Sequence, residues 1–337
     1  MSSSPDAEVV IVGAGVMGLA TARALALAGR DVVLCEQFEV GHKHGSSHGG
    51  SRIIRLSYPE ERYVRLAQEV YPLWRELEAD CGRALLDQPG NLDLGSWQAN
   101  RDALAACGVP FEVLDAAEIE RRFPMRLEPG ETGLFQPDGG IVFADLAVQA
   151  MLESAVTAGV EVREHTRVDP VVEDGGGVLA GGVRARVAIV TAGAWAPALV
   201  GVDATPTRET TSYFSLDEPL PSVIEPNGGS THGYALVAPG VGMKAGLHLS
   251  GPTVDPDEPG GADAEIAERT VAWVERRFRV AGPAVRVETC LYTRRPNNEF
   301  LLERRGRVVV GSPCSGHGFK FAPLIGQRLA AMAEEAL

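Results

Sequence analysis

Apolar and polar positions follow several rhythms along this chain. Near its start, Val9 to Val12 form a β-branched run without alternation, the pattern of a parallel strand buried on both faces. Glycines 13, 15 and 18 interrupt that run, and an Ala/Leu-rich helical pattern then continues to Ala28. Gly29 suits the helix end, and Val32 to Leu34 restart a strand. Further on, short strand patterns alternate with turns, as in "RETTSYFSL" and "HGYALVAPG", which fits an antiparallel sheet. A Pro/Gly/Asp-rich loop, "PTVDPDEPGGAD" at 252–263, precedes a helical stretch from Ala264 to Phe278. No internal repeat or low-complexity segment stands out.

Length and composition narrow this picture. At 337 residues, 45% hydrophobic and 23% charged, the chain fits a soluble enzyme-sized protein with one large domain or two closely packed ones. Its 31 basic against 45 acidic residues give a net charge of −14, and no Lys/Arg-rich run tracks a phosphate backbone, so nucleic acid is a poor partner. An acidic protein that binds a small anion must concentrate cations locally, which makes inward-looking Lys and Arg informative. Five cysteines without CxxC or metal-type spacing predict a reducing compartment and no metal site. Met1 to Glu8 lack a basic leader, and no stretch reaches the roughly 18–20 apolar residues of a membrane span, so a cytoplasmic protein without a membrane partner is expected.

The glycines carry the first chemistry. In "EVVIVGAGVMGLATARALALAGRDVVLCEQ", Gly13 permits a sharp turn, Gly15 lets backbone approach a pyrophosphate, and Gly18 allows close helix-to-strand packing. Glu36 ends the second strand 21 residues after Gly15, where a carboxylate can accept hydrogen bonds from a ribose diol. This strand-turn-helix-strand-acid unit predicts a Rossmann-like dinucleotide site. NAD and FAD share the ribose contact, so the unit does not choose between them.

The next segment, "GHKHGSSHGGSRIIRLSY" at 41–58, contains no convincing helix or strand before Arg52, and long loops inside compact domains are usually functional or disordered. His44, His48, Arg52 and Arg55 crowd into it; the two arginines could equally share one solvated helix face. Taken with the glycine unit, the loop "GSSHGGSRIIR", then "TAGAW" at 191–195, "CLYT" at 290–293 and "SGHGFKF" at 315–321 resemble, in the same order, the monomeric sarcosine oxidase and N-methyltryptophan oxidase family within the D-amino acid oxidase-like flavoproteins. The resemblance spans about residues 8–331 and selects FAD. It implies an α/β (α+β overall) fold, a Rossmann-like FAD-binding domain with an antiparallel-sheet substrate domain. The motifs scatter from residue 13 to residue 320, so the FAD domain is expected to be discontinuous, at 1–80, 141–206 and 286–337, with 81–140 and 207–285 binding substrate.

Residue by residue, the resemblance implies that Arg55 and Lys320 grip a substrate carboxylate. Physics agrees, since a planar guanidinium pairs a carboxylate bidentately and an ammonium adds a point charge. Arg52 looks like the family's flavin-side arginine, and Ser47 and His48 fall in the same flavin-contacting loop. Cys290 matches the cysteine that the family joins to the flavin 8α carbon by a thioether; taken alone it would read as a small buried hydrophobe. Cys314 reads as core. Lys244, in "GVGMKAGLH", resembles the lysine that speeds the family's reaction of reduced flavin with oxygen, where a fixed positive charge stabilises developing superoxide. His248 and Tyr292 match substrate-pocket positions, although both residue types also occur as satisfied core groups. Gly193 and Ala194 match a turn whose backbone touches FAD. In SGHGFKF, Gly316 and Gly318 let backbone approach the flavin ring, His317 supports its edge, and a helix beginning there points its dipole at the pyrimidine end. Lys320 then serves both flavin and substrate.

The reading is an FAD-dependent oxidase of an N-methyl or cyclic secondary amino acid, giving imine and hydrogen peroxide with molecular oxygen as acceptor, and acting as a monomer. An amino acid dehydrogenase using another acceptor is the alternative, against which Lys244 speaks. A cofactor-holding protein without turnover is less favoured, because buried Arg55 and Lys320 without an anion would carry an uncompensated desolvation cost. Two departures from the family pattern stand out. The chain stops at Leu337, short of the usual extension, and Ser215–Gly233 aligns poorly and is expected to help roof the pocket.

Overall fold

A computed structural model describes residues 5–173, 175–226, 232–280 and 282–337; within the poorly aligned Ser215–Gly233 stretch, 227–231 lie outside the described residues. The β-branched run forms the strand Ala7–Val12, paired in parallel with Val32–Cys35 on one side and Val183–Val190 on the other. Glu161–Arg163 and Val308–Ser312 extend the parallel core outward. Helices Val16–Leu27, Ala144–Thr157 and Ala322–Glu334 cover one face, closing a core of Val9, Ile11, Leu19, Leu25, Leu34 and Leu329. The first helix ends where its sequence signal does, with Ala28 as cap and Gly29 at φ +81°.

A second, eight-stranded sheet lies apart from this layer and is antiparallel except where Ser222–Pro226 runs parallel to Asn91–Leu94. Its centre is Thr205–Ser215, Gly242–His248 and His232–Ala238. Alternation gives it two different faces. Met243, Ala245, Ala235 and Phe214 turn to the apolar side, where helix Ala264–Arg277 covers them with Trp273 and Val274. Arg277 anchors this helix to the sheet by forking to Glu225 and Glu131, and Trp273 Nε1 donates to Glu225 Oε2 at 2.6 Å. Strand Arg286–Arg294, grouped above with the FAD domain, pairs along its length with Thr205–Ser215 of this second sheet.

The segment 41–58 does not form a helix face. Arg52–Ile54 is a strand paired with Gly140–Val142, and Arg55 follows it. The preceding loop is held by side chain-to-backbone bonds: Arg52 donates to the carbonyls of Ser46, His48 and Ser51, and Ser51 Oγ donates to the Val237 carbonyl. One half-buried guanidinium thus supplies the partners that a regular element would otherwise provide.

Candidate active site

Between the two sheets runs one cavity of about 810 Å³. One end is built by the glycine unit. Gly13, at φ +98°, carries the chain over Thr191, whose carbonyl would lie 2.9 Å from an added Cβ. At Gly18 a Cβ would meet the Gly13 carbonyl at 1.9 Å, so Gly18 allows helix-to-turn packing and does not itself face the cavity. The helix start carries no acidic residue, and Ser47 Oγ accepts from the Val16 N–H at 3.0 Å. Glu36, 4% exposed, accepts from the Ala14 N–H at 2.8 Å and the Phe38 N–H at 3.1 Å. Gly193, at φ +52°, and Ala194 form the facing turn after Val183–Val190.

This end fits FAD by its shape and its donors. A glycine cradle that side chains would fill opens onto a helix amino terminus, with a carboxylate at the neighbouring strand end. His48 Nε2 adds a buried ring nitrogen without a partner among the described residues, on the cavity wall.

The other end is laid out by the second sheet. Lys244, Gly246 and His248 alternate onto the cavity face, beside Tyr213, Thr211, Tyr234 and His232 of the neighbouring strands. Cys290 and Tyr292 share this face on strand Arg286–Arg294. Gly246 is required, since its Cβ would lie 2.6 Å from the Tyr234 hydroxyl. Gly316, at φ +78°, makes room in the same way for the rings of Tyr292 and His248, at 2.4 and 2.5 Å from a would-be Cβ. At Gly318 a Cβ would strike the Pro313 carbonyl at 1.6 Å. The terminal helix begins one turn later than the SGHGFKF motif suggests: Phe319–Phe321 is a 3-10 turn and the α-helix starts at Ala322. Trp74 Nε1 donates to the Lys320 carbonyl at 2.7 Å and fixes that turn.

Burial dominates the electrostatics here. Lys244, 5% exposed, donates to the Ser51 carbonyl at 2.7 Å, and desolvation with the nearby Arg52 charge pushes it down to about 7. Lys320, also 5% exposed, donates to the His317 carbonyl at 2.7 Å and is pushed well below the usual lysine range by burial and Arg55. Burial also lowers His48 and His232 to about 4 and His317 to about 3, and takes His248 well below its ordinary value, so all four imidazoles are uncharged at neutral pH. Cys290 is raised by burial, against the opposing influence of Arg52 and Lys244, and Tyr292 is raised well above the ordinary phenol by desolvation.

Of the residues singled out above, all except Gly18 and His44 line this one cavity. Two expectations change. Cys314, read as core, is half-buried and lines the cavity, with its Sγ accepting from the Thr293 N–H at 3.4 Å. Arg55 is not a cation without an anion: its Nη1 donates to Asp93 Oδ1 at 3.0 Å. Sequence reasoning missed Asp93 and His232. The signal for Asp93 was an acid between leucines in the strand pattern "NLDL", a residue type depleted in strands. That for His232 was its alternation with Tyr234 in a strand that also lines the site.

A Rossmann-like layer roofed by an antiparallel sheet, with a glycine cradle opening onto the cavity between them, defines a dinucleotide-binding protein of the glycine-unit type. The chain belongs to the FAD dependent oxidoreductase family, whose sequence profile matches residues 8–332. It is 32% identical to a probable sarcosine oxidase of Arabidopsis thaliana, over 97% of this chain and 88% of that one. To the peroxisomal sarcosine oxidase of Homo sapiens it is 31% identical, over 96% and 90%. Among solved structures, the open form of NikD, described as an unusual amino acid oxidase essential for nikkomycin biosynthesis, superposes with a TM-score of 0.88 at 27% identity, over 99% of this chain and 95% of that one. Among the described residues no helix is long and apolar enough to cross a membrane, and no cluster of His, Cys, Asp or Glu could hold a metal ion.

Proposed function

We propose that this FAD-dependent oxidoreductase oxidises the CH–NH bond of an N-methyl or cyclic secondary amino acid, with oxygen as electron acceptor and imine and hydrogen peroxide as products. The observation that carries the reading is that Arg55, Lys320, Lys244 and Cys290 line the same cavity as the glycine cradle. The sarcosine oxidase relatives support the substrate class.

In this reading Gly13, Gly15, Glu36, Ser47, Gly193 and Ala194 hold the adenosine and pyrophosphate half of FAD, and Arg52, His48, Gly316, His317 and Gly318 the ring half. Bound FAD supplies the two-electron oxidation of the C–N bond. Arg55 and Lys320 hold the substrate carboxylate and thereby orient the carbon next to nitrogen. His248 and Tyr292 stay uncharged and bound the amine side of the pocket without adding cations that would repel a protonated amine or compete for the carboxylate. The neutral amine is the reactive form, and the imine hydrolyses after release. Lys244, when protonated, would supply a positive charge that favours electron transfer from the reduced flavin to oxygen. Cys290 Sγ is the atom that would be joined to the flavin 8α carbon as a thioether, with the S–H and one 8α C–H bond given up and the two electrons and two protons passed on to oxygen as hydrogen peroxide; burial raises its thiol, and the charges of Arg52 and Lys244 partly oppose that.

Two measurements test this. The purified protein is precipitated with acid and the Cys290 peptide analysed by mass spectrometry; yellow colour retained on that peptide is expected, and colour released to the supernatant removes the covalent link. Amino acids are then screened for peroxide formation. Bleaching of the flavin by a secondary amine without peroxide would assign an acceptor other than oxygen, and no bleaching by any N-methyl or cyclic amino acid would overturn the substrate class.

A further inference from the structure

Asp93 stands at the substrate end of the cavity, on strand Asn91–Leu94, with its side chain 4% exposed. Three donors converge on its carboxylate. Arg55 Nη1 donates to Oδ1 at 3.0 Å, Ser57 Oγ donates to Oδ2, and Asn100 Nδ2 donates to Oδ2 at 3.2 Å. Asn100 Nδ2 also donates to Ser57 Oγ at 3.1 Å, which leaves the Ser57 proton for Asp93. Asp93 thus accepts from three donors and offers none. The Arg55 guanidinium, already stacked over Tyr58 at 4.6 Å, is held by one of its five donors, and the rest of its fork is left for a ligand.

The charge count at this end then changes. Arg55 is matched by Asp93, whereas Lys320 donates to a backbone carbonyl, lies over the rings of Tyr58 and Phe321 at 5.6 and 5.3 Å, and is in no ion pair among the described residues. His232 and His248, with ring centroids 4.3 Å apart, add no charge, and Glu60 at the rim is exposed and paired with Arg62. We infer that Asp93 is a specificity-determining residue: it cancels the charge of Arg55, so that of the pair Arg55 and Lys320 only Lys320, as the ammonium that a bound carboxylate holds protonated, is left to match an acid, and so restricts this part of the site to amino acids with a single carboxylate. This rests on the proposed role of Arg55 and Lys320 as carboxylate ligands. A substrate with a second acid group would bring a buried charge that nothing offsets.

The test uses two ligands that cannot be oxidised because oxygen replaces the amine nitrogen: tetrahydrofuran-2-carboxylate and cis-tetrahydrofuran-2,5-dicarboxylate. Their Kd values for the flavin-loaded protein are measured by titration calorimetry. The wild type is expected to bind the monoacid at least thirtyfold more tightly than the diacid. Asp93→Asn should narrow that ratio at least tenfold, and the double variant Asp93→Asn/Arg55→Gln, which removes a charge of each sign, should restore it. If Asp93→Asn alone does not fold, Arg55→Gln is compared with the double variant. Asp93 without its partner is a buried anion facing the ligand, so Arg55→Gln should bind the monoacid at least tenfold more weakly than the double variant. Monoacid binding with a ratio indifferent to Asp93→Asn, or equal affinities in that second comparison, would overturn the Asp93 inference and leave the carboxylate reading standing. Failure of the wild type to bind the monoacid would overturn both.

Discussion

Single residues in this protein act through space more often than through charge. Gly15 and Gly18 belong to one motif but tolerate substitution differently. An added Cβ at Gly18 would meet fixed backbone at 1.9 Å, whereas at Gly15 it would meet only the movable Ser47 Oγ at 3.2 Å. Gly18→Ala should therefore cost at least about 2 kcal/mol and lose flavin, and Gly15→Ala less than about 1 kcal/mol. Thermal unfolding with and without added FAD separates the two; equal losses would place the constraint elsewhere. Lys244 is the exception, a residue whose charge matters. Its pKa of about 7 lies far below the ordinary lysine value, so the ammonium is present below that pH and lost above it. The rate constant for reaction of reduced enzyme with oxygen should fall as pH rises through about 7. Lys244→Met should be about a hundredfold slower and lose that pH dependence. Stopped-flow reoxidation between pH 6 and 9 reads both, and a flat wild-type profile would remove Lys244 from this step.

At the scale of elements, the alternation of a β-strand does most of the positioning. Gly242–His248 sends Lys244 and His248 to the cavity and Met243 and Ala245 to the core, so one strand supplies chemistry and packing at once. That division depends on helix Ala264–Arg277 staying on the far face. Arg277, 9% exposed in its side chain, bridges Glu131 and Glu225, and removing it would leave the nearly buried Glu225 without its main partner. Arg277→Ala is expected to destabilise by about 3–5 kcal/mol. Measured by denaturant unfolding, it should do so while leaving ligand Kd in the surviving folded protein within about twofold. A cost below about 1 kcal/mol would mean that solvent replaces the bridge.

The molecule as a whole is held together across its cavity. The glycine unit, the 41–58 loop, the turn at 193–194 and the 315–321 motif come from distant parts of the sequence, and a flavin between the sheets would touch all of them. Folding and cofactor binding should therefore be coupled by mass action. With Cys290→Ser, which removes the proposed covalent link, dialysis should release FAD and lower Tm by about 5 °C or more, with recovery on adding FAD. An unchanged Tm would mean that the two sheets hold each other without the cofactor. In a chain with a net charge of −14, Arg52, Arg55, Lys244 and Lys320 line the inner space together with the carboxylates of Glu36, Asp93, Asp145 and Glu288.

Much of this was legible in the linear sequence. The β-branched run, the spacing of Gly13, Gly15 and Gly18, and Glu36 at the next strand end determined the first sheet and its nucleotide cradle, because those signals are local: each residue restricts the backbone within a few positions of itself. The resemblance singled out Arg55, Lys244, Cys290 and Lys320, and all four line one cavity. What the sequence did not determine is which groups answer them. Asp93 lies 38 positions from Arg55 and His232 lies 16 from His248; the packing of two separate sheets brings the first couple into contact, and the pairing of neighbouring strands the second. Burial, likewise, exists only once the sheets close. That closure makes Lys244 a weak acid near neutrality, keeps four imidazoles uncharged, and turns an arginine expected to stand alone into half of an ion pair.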